Sequence, residues 1–275
     1  MIKMSDLYSK TPFFISFPHS GEEVPEEAVW LKGLPEEVLM CDVDRYVDEL
    51  YEPVVQALGL VSVRTQWHRY AADLNRLPTD VDEDSVKGSG NPPGTHTTGL
   101  HWVKTTTGIP LMKTSVSLEV HKKIVEKYHL PFHEEVEATF QAFKGCGHKK
   151  VYHLDAHSMP SRGTSAHRDK GADRPQVVVS DVDGTSCEKH FTELVIESYK
   201  NAGFEVGYNW PYKGGRVTQT YGKPGLGQNT LQVELNRAMY LNETSKHKNN
   251  DLFSGVQDML LKAVTAIYNE MGHRT

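Results

Sequence analysis

The strongest constraint on this chain is an alternation of two periodicities. Short β-rich runs at Phe13 to Phe17, Leu60 to Val63, Tyr70 to Leu74, Val151 to Asp155, Gln176 to Ser180, Phe204 to Tyr208 and Thr230 to Leu235 are interleaved with helical patterns over Pro35 to Leu58, Ser117 to Phe143, Cys187 to Ala202 and Leu252 to Met271. Strands separated by helices return to one sheet through crossovers that lay those helices on its faces. The pattern therefore predicts an α/β fold, a mostly parallel or mixed sheet flanked by helices. Within Ser117 to Phe143, His129-Leu130-Pro131 predicts a break into a helix pair, because the residue before proline resists the helical conformation. The loops at 78–99 and 210–229 exceed ordinary connections and mark functional segments. No repeat, low-complexity tract or shift of composition divides residues 1–275, which read as a single domain.

Charge and composition exclude several function classes. Thirty basic against 36 acidic residues give a net charge of −6, and no cluster of Lys or Arg forms a footprint for nucleic acid. No apolar run approaches the roughly 18 residues of a membrane-spanning helix. Asp6, Ser9 and Lys10 interrupt the apolar core that a secretory leader needs, so the expected location is the cytoplasm. Cys41, Cys146 and Cys187 lie far apart, which argues against a disulfide framework or a thiolate metal site. The remaining expectation is a small-molecule partner, and the compositional outlier is 14 histidines.

Ligands of open α/β sheets bind beyond the carboxyl ends of the strands. Here the first strand ends in Pro18-His19-Ser20-Gly21, the Val151 strand in Asp155-Ala156-His157-Ser158, and the Thr230 strand carries Glu234 into Asn236-Arg237. Two histidines and carboxylates arriving from separate strand ends suit a hydrolytic zinc site, with three protein ligands and one open position. Each histidine taken singly reads more readily as a loop cap, and only their joint placement points to a metal. The third ligand has two candidates, Glu22 in His19-x-x-Glu22 and Asp44. Arg69, Asn75 and Arg76 have the chemistry to polarise a carbonyl and clamp a carboxylate, and the stretch from Asn209 to Arg216 offers the same on a glycine-rich loop. Ser20 and Ser158 lack a Gly-x-Ser-x-Gly elbow and read as loop hydroxyls. No phosphate-binding glycine motif follows a strand. His129 and His133 form an i, i+4 pair on the helix that also carries His121, with Pro131 between them expected to disrupt their shared face.

Taken in order, Phe17-Pro18-His19-Ser20-Gly21, Asp44 to Tyr51, Arg69 with Asp73-Leu74-Asn75-Arg76, Asp155-Ala156-His157-Ser158, Asp181 to Cys187 and Gln232-Val233-Glu234 resemble the N-formylglutamate amidohydrolase family. That family is similar to the zinc carboxypeptidase and aspartoacylase-like hydrolases, so the resemblance implies a zinc-carboxypeptidase-like (phosphorylase/hydrolase-like) α/β fold. It further implies a zinc-dependent amidohydrolase, with one Zn²⁺ ion per chain, that cleaves N-formyl-L-glutamate to formate and L-glutamate, the last step of one histidine degradation route. By the same resemblance His19 and His157 hold the zinc, with Asp44 preferred over Glu22 as the carboxylate ligand, and Glu234 is the general base. Arg69 faces the developing oxyanion, and Asn75 with Arg76 holds the α-carboxylate. Asn209 belongs to the substrate-binding set, and Arg174, Lys213 and Arg216 compete for the side-chain carboxylate. Two rival readings share the residues: a zinc-dependent deacylase or carboxypeptidase for another N-acyl amino acid or a short cell-wall peptide, and a non-catalytic small-molecule binder. A base beside a metal argues against the binder.

Overall fold

The computed structural model describes residues 8–272, so Asp6, on which the N-terminal reading leaned, lies outside it. Strands β1 (Phe13–Phe17), β2 (Val61–Arg64), β3 (Val151–Met159), β4 (Val177–Ser180), β5 (Val206–Tyr208) and β6 (Gln228–Asn236) form one sheet in the order β2-β1-β3-β6-β4-β5. Neighbours run parallel except β4 against β6, which gives the expected mixed, mostly parallel sheet. The helices are α1 (Glu36–Leu39), α2 (Val47–Leu58), α3 (Leu118–Ile124), α4 (Leu130–Gly145), α5 (Lys189–Ala202), α6 (Arg216–Tyr221) and α7 (Asn250–Gly272). None among the described residues is long and apolar enough to cross a membrane.

Side chains alternate across a strand, so each strand serves two layers. Phe13, Ile15 and Phe17 of β1, with Leu154 of β3 and Leu231 and Val233 of β6, pack against α2, α5 and α7 through Leu50, Phe191 and Leu260. On the other face Phe14 meets Phe132, Val136 and Phe140 of α4 and Val217 and Tyr221 of α6. Each such fully buried side chain contributes about 1.5–3 kcal/mol.

Three sequence expectations are corrected. Tyr70 to Leu74 forms turns, not a strand, and its carbonyls at Ala71 and Leu74, with that of Arg76 just beyond, are taken by histidine side chains. His101 Nδ1 donates to Ala71 O at 2.5 Å, His133 Nε2 to Leu74 O at 3.0 Å and His129 Nε2 to Arg76 O at 3.0 Å. The helical pattern over Pro35 to Leu58 is interrupted between α1 and α2 by the loop that carries Asp42 and Asp44. The helix around Pro131 does not break. A π-helical turn at Val125–His129 links α3 to α4, and Pro131 sits in the first turn of α4, where a missing N–H costs little. His129 and His133 consequently share a face, with ring centroids 4.4 Å apart.

Candidate metal centre

On the same face as Phe14, the alternation of β3 and β6 turns polar toward the carboxyl ends. His153, Asp155 and His157 of β3 project to this side, as do Gln232 and Glu234 of β6. The register sets His157 beside Glu234 and Asp155 beside both Gln232 and, across on β1, Ser16. Two loops complete the group: His19 lies just past the end of β1, and Asp44 precedes α2, its backbone N–H donating to His19 O at 3.0 Å.

His19, Asp44 and His157 are buried and present one ligand atom each, all within 4.8 Å of one another. The histidine tautomers follow from their outer partners. His19 Nε2 lies 2.7 Å from Asp73 Oδ1, and His157 Nε2 lies 2.9 Å from Asp155 Oδ2. An ionised carboxylate only accepts, so both Nε2 atoms carry protons and both Nδ1 lone pairs turn inward. Those Nδ1 atoms stand 3.1 Å apart, and Asp44 Oδ2 is 3.1 Å from one and 3.5 Å from the other. Three acceptors converging in a buried space demand a positive charge. The same demand shows in protonation: although burial opposes charging His157, the neighbouring carboxylates of Asp155 and Asp44 push its pKa well above the ordinary value. This donor set, two imidazole nitrogens and a carboxylate oxygen, fits zinc.

The carboxylates are themselves anchored. Asp44 Oδ1 accepts from Arg237 Nη2 at 2.9 Å and Ser158 Oγ at 3.2 Å. Burial alone would raise its pKa, but the adjoining His157 and His19 and the charge of Arg69 hold it well below the usual carboxylate range. Asp73 accepts from Trp102 Nε1 at 2.9 Å and Arg69 Nη2 at 3.1 Å. Asp155 Oδ1 accepts from Ser16 Oγ at 2.8 Å, and the Ser16 oxygen, its proton committed, accepts from His153 Nε2 at 2.8 Å.

Glu234 faces this centre from the next strand, in the wall of a cavity of about 350 Å³ that also exposes Arg69, Asn75, Arg76, Lys213 and Gln232. Burial pushes the Glu234 carboxyl up to about 7, with His157 opposing and Asp44 reinforcing the shift. Arg69 is clamped by Asp73 and by Asp42 O at 2.7 Å and lies over the Trp102 ring, while its Nε–H is buried without a partner among the described residues. The long loop at 78–99 is pinned by the Asp82 carboxylate, which accepts from His96 N at 2.7 Å, and it brings Thr98 to the cavity wall.

Other sequence candidates fall elsewhere. Glu22 forms a two-point ion pair with Arg45, at 2.8 and 3.2 Å, and does not join the histidines. Arg174 is bidentate to Asp169 at 2.7 and 2.9 Å and also bonds Tyr212 Oη, which leaves it no reach toward the cavity. Asn209 exchanges two hydrogen bonds with Asp181, outside the cavity wall. Arg216 lines an adjoining groove, 3.8 Å from Asp80. The Asp181 to Cys187 block turns out to be a strut: the Asp181 carboxylate accepts from Gly184 N, Thr192 Oγ1, Tyr208 Oη and Asn209 Nδ2. Sequence reasoning missed how Asp73 and Asp155 orient the two histidines and how Arg237 holds Asp44. The alternation His153-x-Asp155-x-His157, polar where a core strand should be apolar, was the available signal for Asp155.

Comparison with known proteins shows the family. A sequence model described as N-formylglutamate amidohydrolase matches residues 11–241. An N-formylglutamate deformylase of Pseudomonas putida is 28% identical over 267 residues, which span 94% of this chain and 92% of the relative. A crystal structure of N-formylglutamate amidohydrolase from Ralstonia eutropha JMP134 superposes with a TM-score of 0.83 at 26% identity, covering 96% of this chain and 95% of that one. A gene product of Agrobacterium tumefaciens shares the fold at a TM-score of 0.66 and 17% identity, over 94% of both chains.

Proposed function

Because the chain belongs to the N-formylglutamate amidohydrolase family, we propose that it hydrolyses N-formyl-L-glutamate to formate and L-glutamate, with zinc at His19, Asp44 and His157, as a step of histidine breakdown. One observation carries the reading: the three converging acceptors lie beside Glu234 in a cavity lined by Arg69 and Arg76. When bound, zinc supplies Lewis acidity toward a carbonyl oxygen and makes water nucleophilic near neutral pH.

The chain's own residues do the rest. Glu234, with its carboxyl raised to about 7 by burial, takes a proton from the attacking water and returns it to the leaving amine nitrogen. Water adds to the formyl carbon, the C–N bond breaks, and the products are formate and glutamate, which keeps the nitrogen as its free amino group. Arg69, held rigid by Asp73 and Trp102, donates to the oxygen on which charge develops. Asn75 and Arg76 receive the α-carboxylate, fixing the substrate before the reaction. Arg174 and Asn209 are held by Asp169 and Asp181 outside the cavity wall, so the side-chain carboxylate falls to Lys213, which lines the cavity and pairs with the exposed Asp183 at 2.7 Å, or to Arg216 at the groove.

The test is formate release from N-formyl-L-glutamate by the zinc-loaded protein, with a chelated control. Chelator-sensitive release is expected. No release from a protein that retains its zinc would overturn the substrate and redirect the search to larger N-acyl amino acids and short peptides.

A further inference from the structure

Gln232 belongs to none of the roles above, yet it is buried in the wall of the cavity, two residues before Glu234 on the same face of β6. Its amide has only one possible orientation. Gly215 N, a backbone donor, gives its proton to Gln232 Oε1 at 2.7 Å, which identifies that atom as the oxygen and turns Nε2 toward Glu234. Nε2 then donates to Glu234 Oε1 at 2.8 Å. Glu234 Oε2 has no hydrogen-bond partner among the described residues and belongs to the half of the carboxylate left for the cavity.

The Gly215 end of this chain is equally constrained. Val217 N donates to Asn75 Oδ1 at 2.8 Å, so the segment from Gly215 to Val217 is gripped by two amides, one from the loop at 71–76 and one from β6. A β-carbon at Gly215 would stand 2.0 Å from Asn75 Nδ2, so glycine is what permits the close approach. The Gln232 amide is thereby clamped at its oxygen and can serve Glu234 only as a donor.

We propose that Gln232 is the positioning residue of Glu234, fixing one carboxylate oxygen so that the other is presented to the reacting water. This inference rests on Glu234 being the proton carrier of the proposed hydrolysis. A carboxylate at position 232 would retain the acceptor for Gly215 but meet Glu234 with a like charge, and a methionine would retain the volume without either hydrogen bond.

The experiment measures kcat and KM for N-formyl-L-glutamate, together with zinc content and Tm, in zinc-loaded wild type, Gln232→Met, Gln232→Glu and Glu234→Gln. A displaced catalytic group costs up to about 100-fold in rate. Gln232→Met is therefore expected to lose about 10–100-fold in kcat, with KM within about threefold of wild type and zinc stoichiometric, and Gln232→Glu to lose more. A purely structural role would lower kcat only in step with the folded, zinc-loaded fraction, and that result overturns the proposal. So does a Gln232→Met kcat within about twofold of wild type beside an inactive Glu234→Gln, an outcome that leaves the base assignment standing. An active Glu234→Gln removes the base assignment itself and this inference with it. Should Gln232→Glu fail to fold, the methionine variant alone decides.

Discussion

His19 and His157 point their Nδ1 atoms at each other across 3.1 Å, although each ring has already committed its proton to an aspartate behind it. Two lone pairs at that distance repel unless something positive lies between them, and Asp44 adds a third acceptor to the same point. The sequence brings this about with segments that share no local pattern. His19 lies just past the end of β1, His157 lies on β3, and Asp73 and Asp155 reach the outer nitrogens from a loop and from the strand itself.

Asp155 bonds His157 Nε2 from behind, on the far side of the ring from the point where the three acceptors converge. Replacing it by asparagine keeps the shape but removes the charge that favours the Nε2 proton. Zinc affinity of Asp155→Asn is expected to fall about 10–100-fold, read by competition with a chromogenic chelator. An affinity within about twofold of wild type would remove Asp155 from the centre.

Catalysis and metal retention separate between Glu234 and His157. Glu234→Gln is expected to abolish formate release while zinc content and Tm stay near wild type. His157→Ala is expected to lose the metal, since a site with one ligand missing binds far more weakly. Stoichiometric zinc in His157→Ala would refute the ligand assignment, and turnover by Glu234→Gln would refute the base.

Three buried histidines and the half-buried His133 give stability a definite pH dependence. Burial lowers His68, His133 and His153 to about 4 and His101 to about 3, from an ordinary value of 6.5 in the unfolded chain. Between those values the unfolded chain binds protons that the folded one refuses, so stability rises with pH and is lost as pH falls below 6.5. Each histidine contributes a slope of up to about 1.4 kcal/mol per pH unit. Urea unfolding at pH 7, 6 and 5 is expected to show this loss, and His133→Gln to show a slope smaller by about one proton. Equal slopes in the two proteins would contradict a neutral His133.

Gly215 tolerates no side chain. Its β-carbon would lie 2.0 Å from Asn75 Nδ2 and 2.4 Å from Cγ, so Gly215→Ala must displace the Asn75 amide or the backbone bond to Gln232. KM for N-formyl-L-glutamate is expected to rise roughly tenfold, the cost of a hydrogen bond to a charged group, with zinc content unchanged. An unaltered KM would take Asn75 out of the substrate site.

Local patterns were enough to read the layers and much of the site. Apolar alternation marked the strands, polar residues at their carboxyl ends marked His19, His157 and Glu234, and both signals act over a few residues. Where local rules misled, contacts from another segment intervened: the imidazoles of His101, His133 and His129 take the carbonyls of Ala71, Leu74 and Arg76, which a paired strand would need. Spacing left Glu22 and Asp44 open as ligands; in the fold Arg45 pairs with Glu22, while Arg237 holds Asp44 beside the histidines.

By itself the amino-acid sequence determined the α/β layering and which side chains would stand at the strand ends, because strand periodicity and proline or glycine chemistry are properties of neighbouring residues. Only the tertiary structure decided the pairings. His19 finds Asp73 across 54 positions and Ser16 finds Asp155 across 139. Which carboxylate orients which imidazole, and which arginine is left free, depends on how distant segments are brought together by burying the two faces of the sheet, and no local propensity encodes that distance.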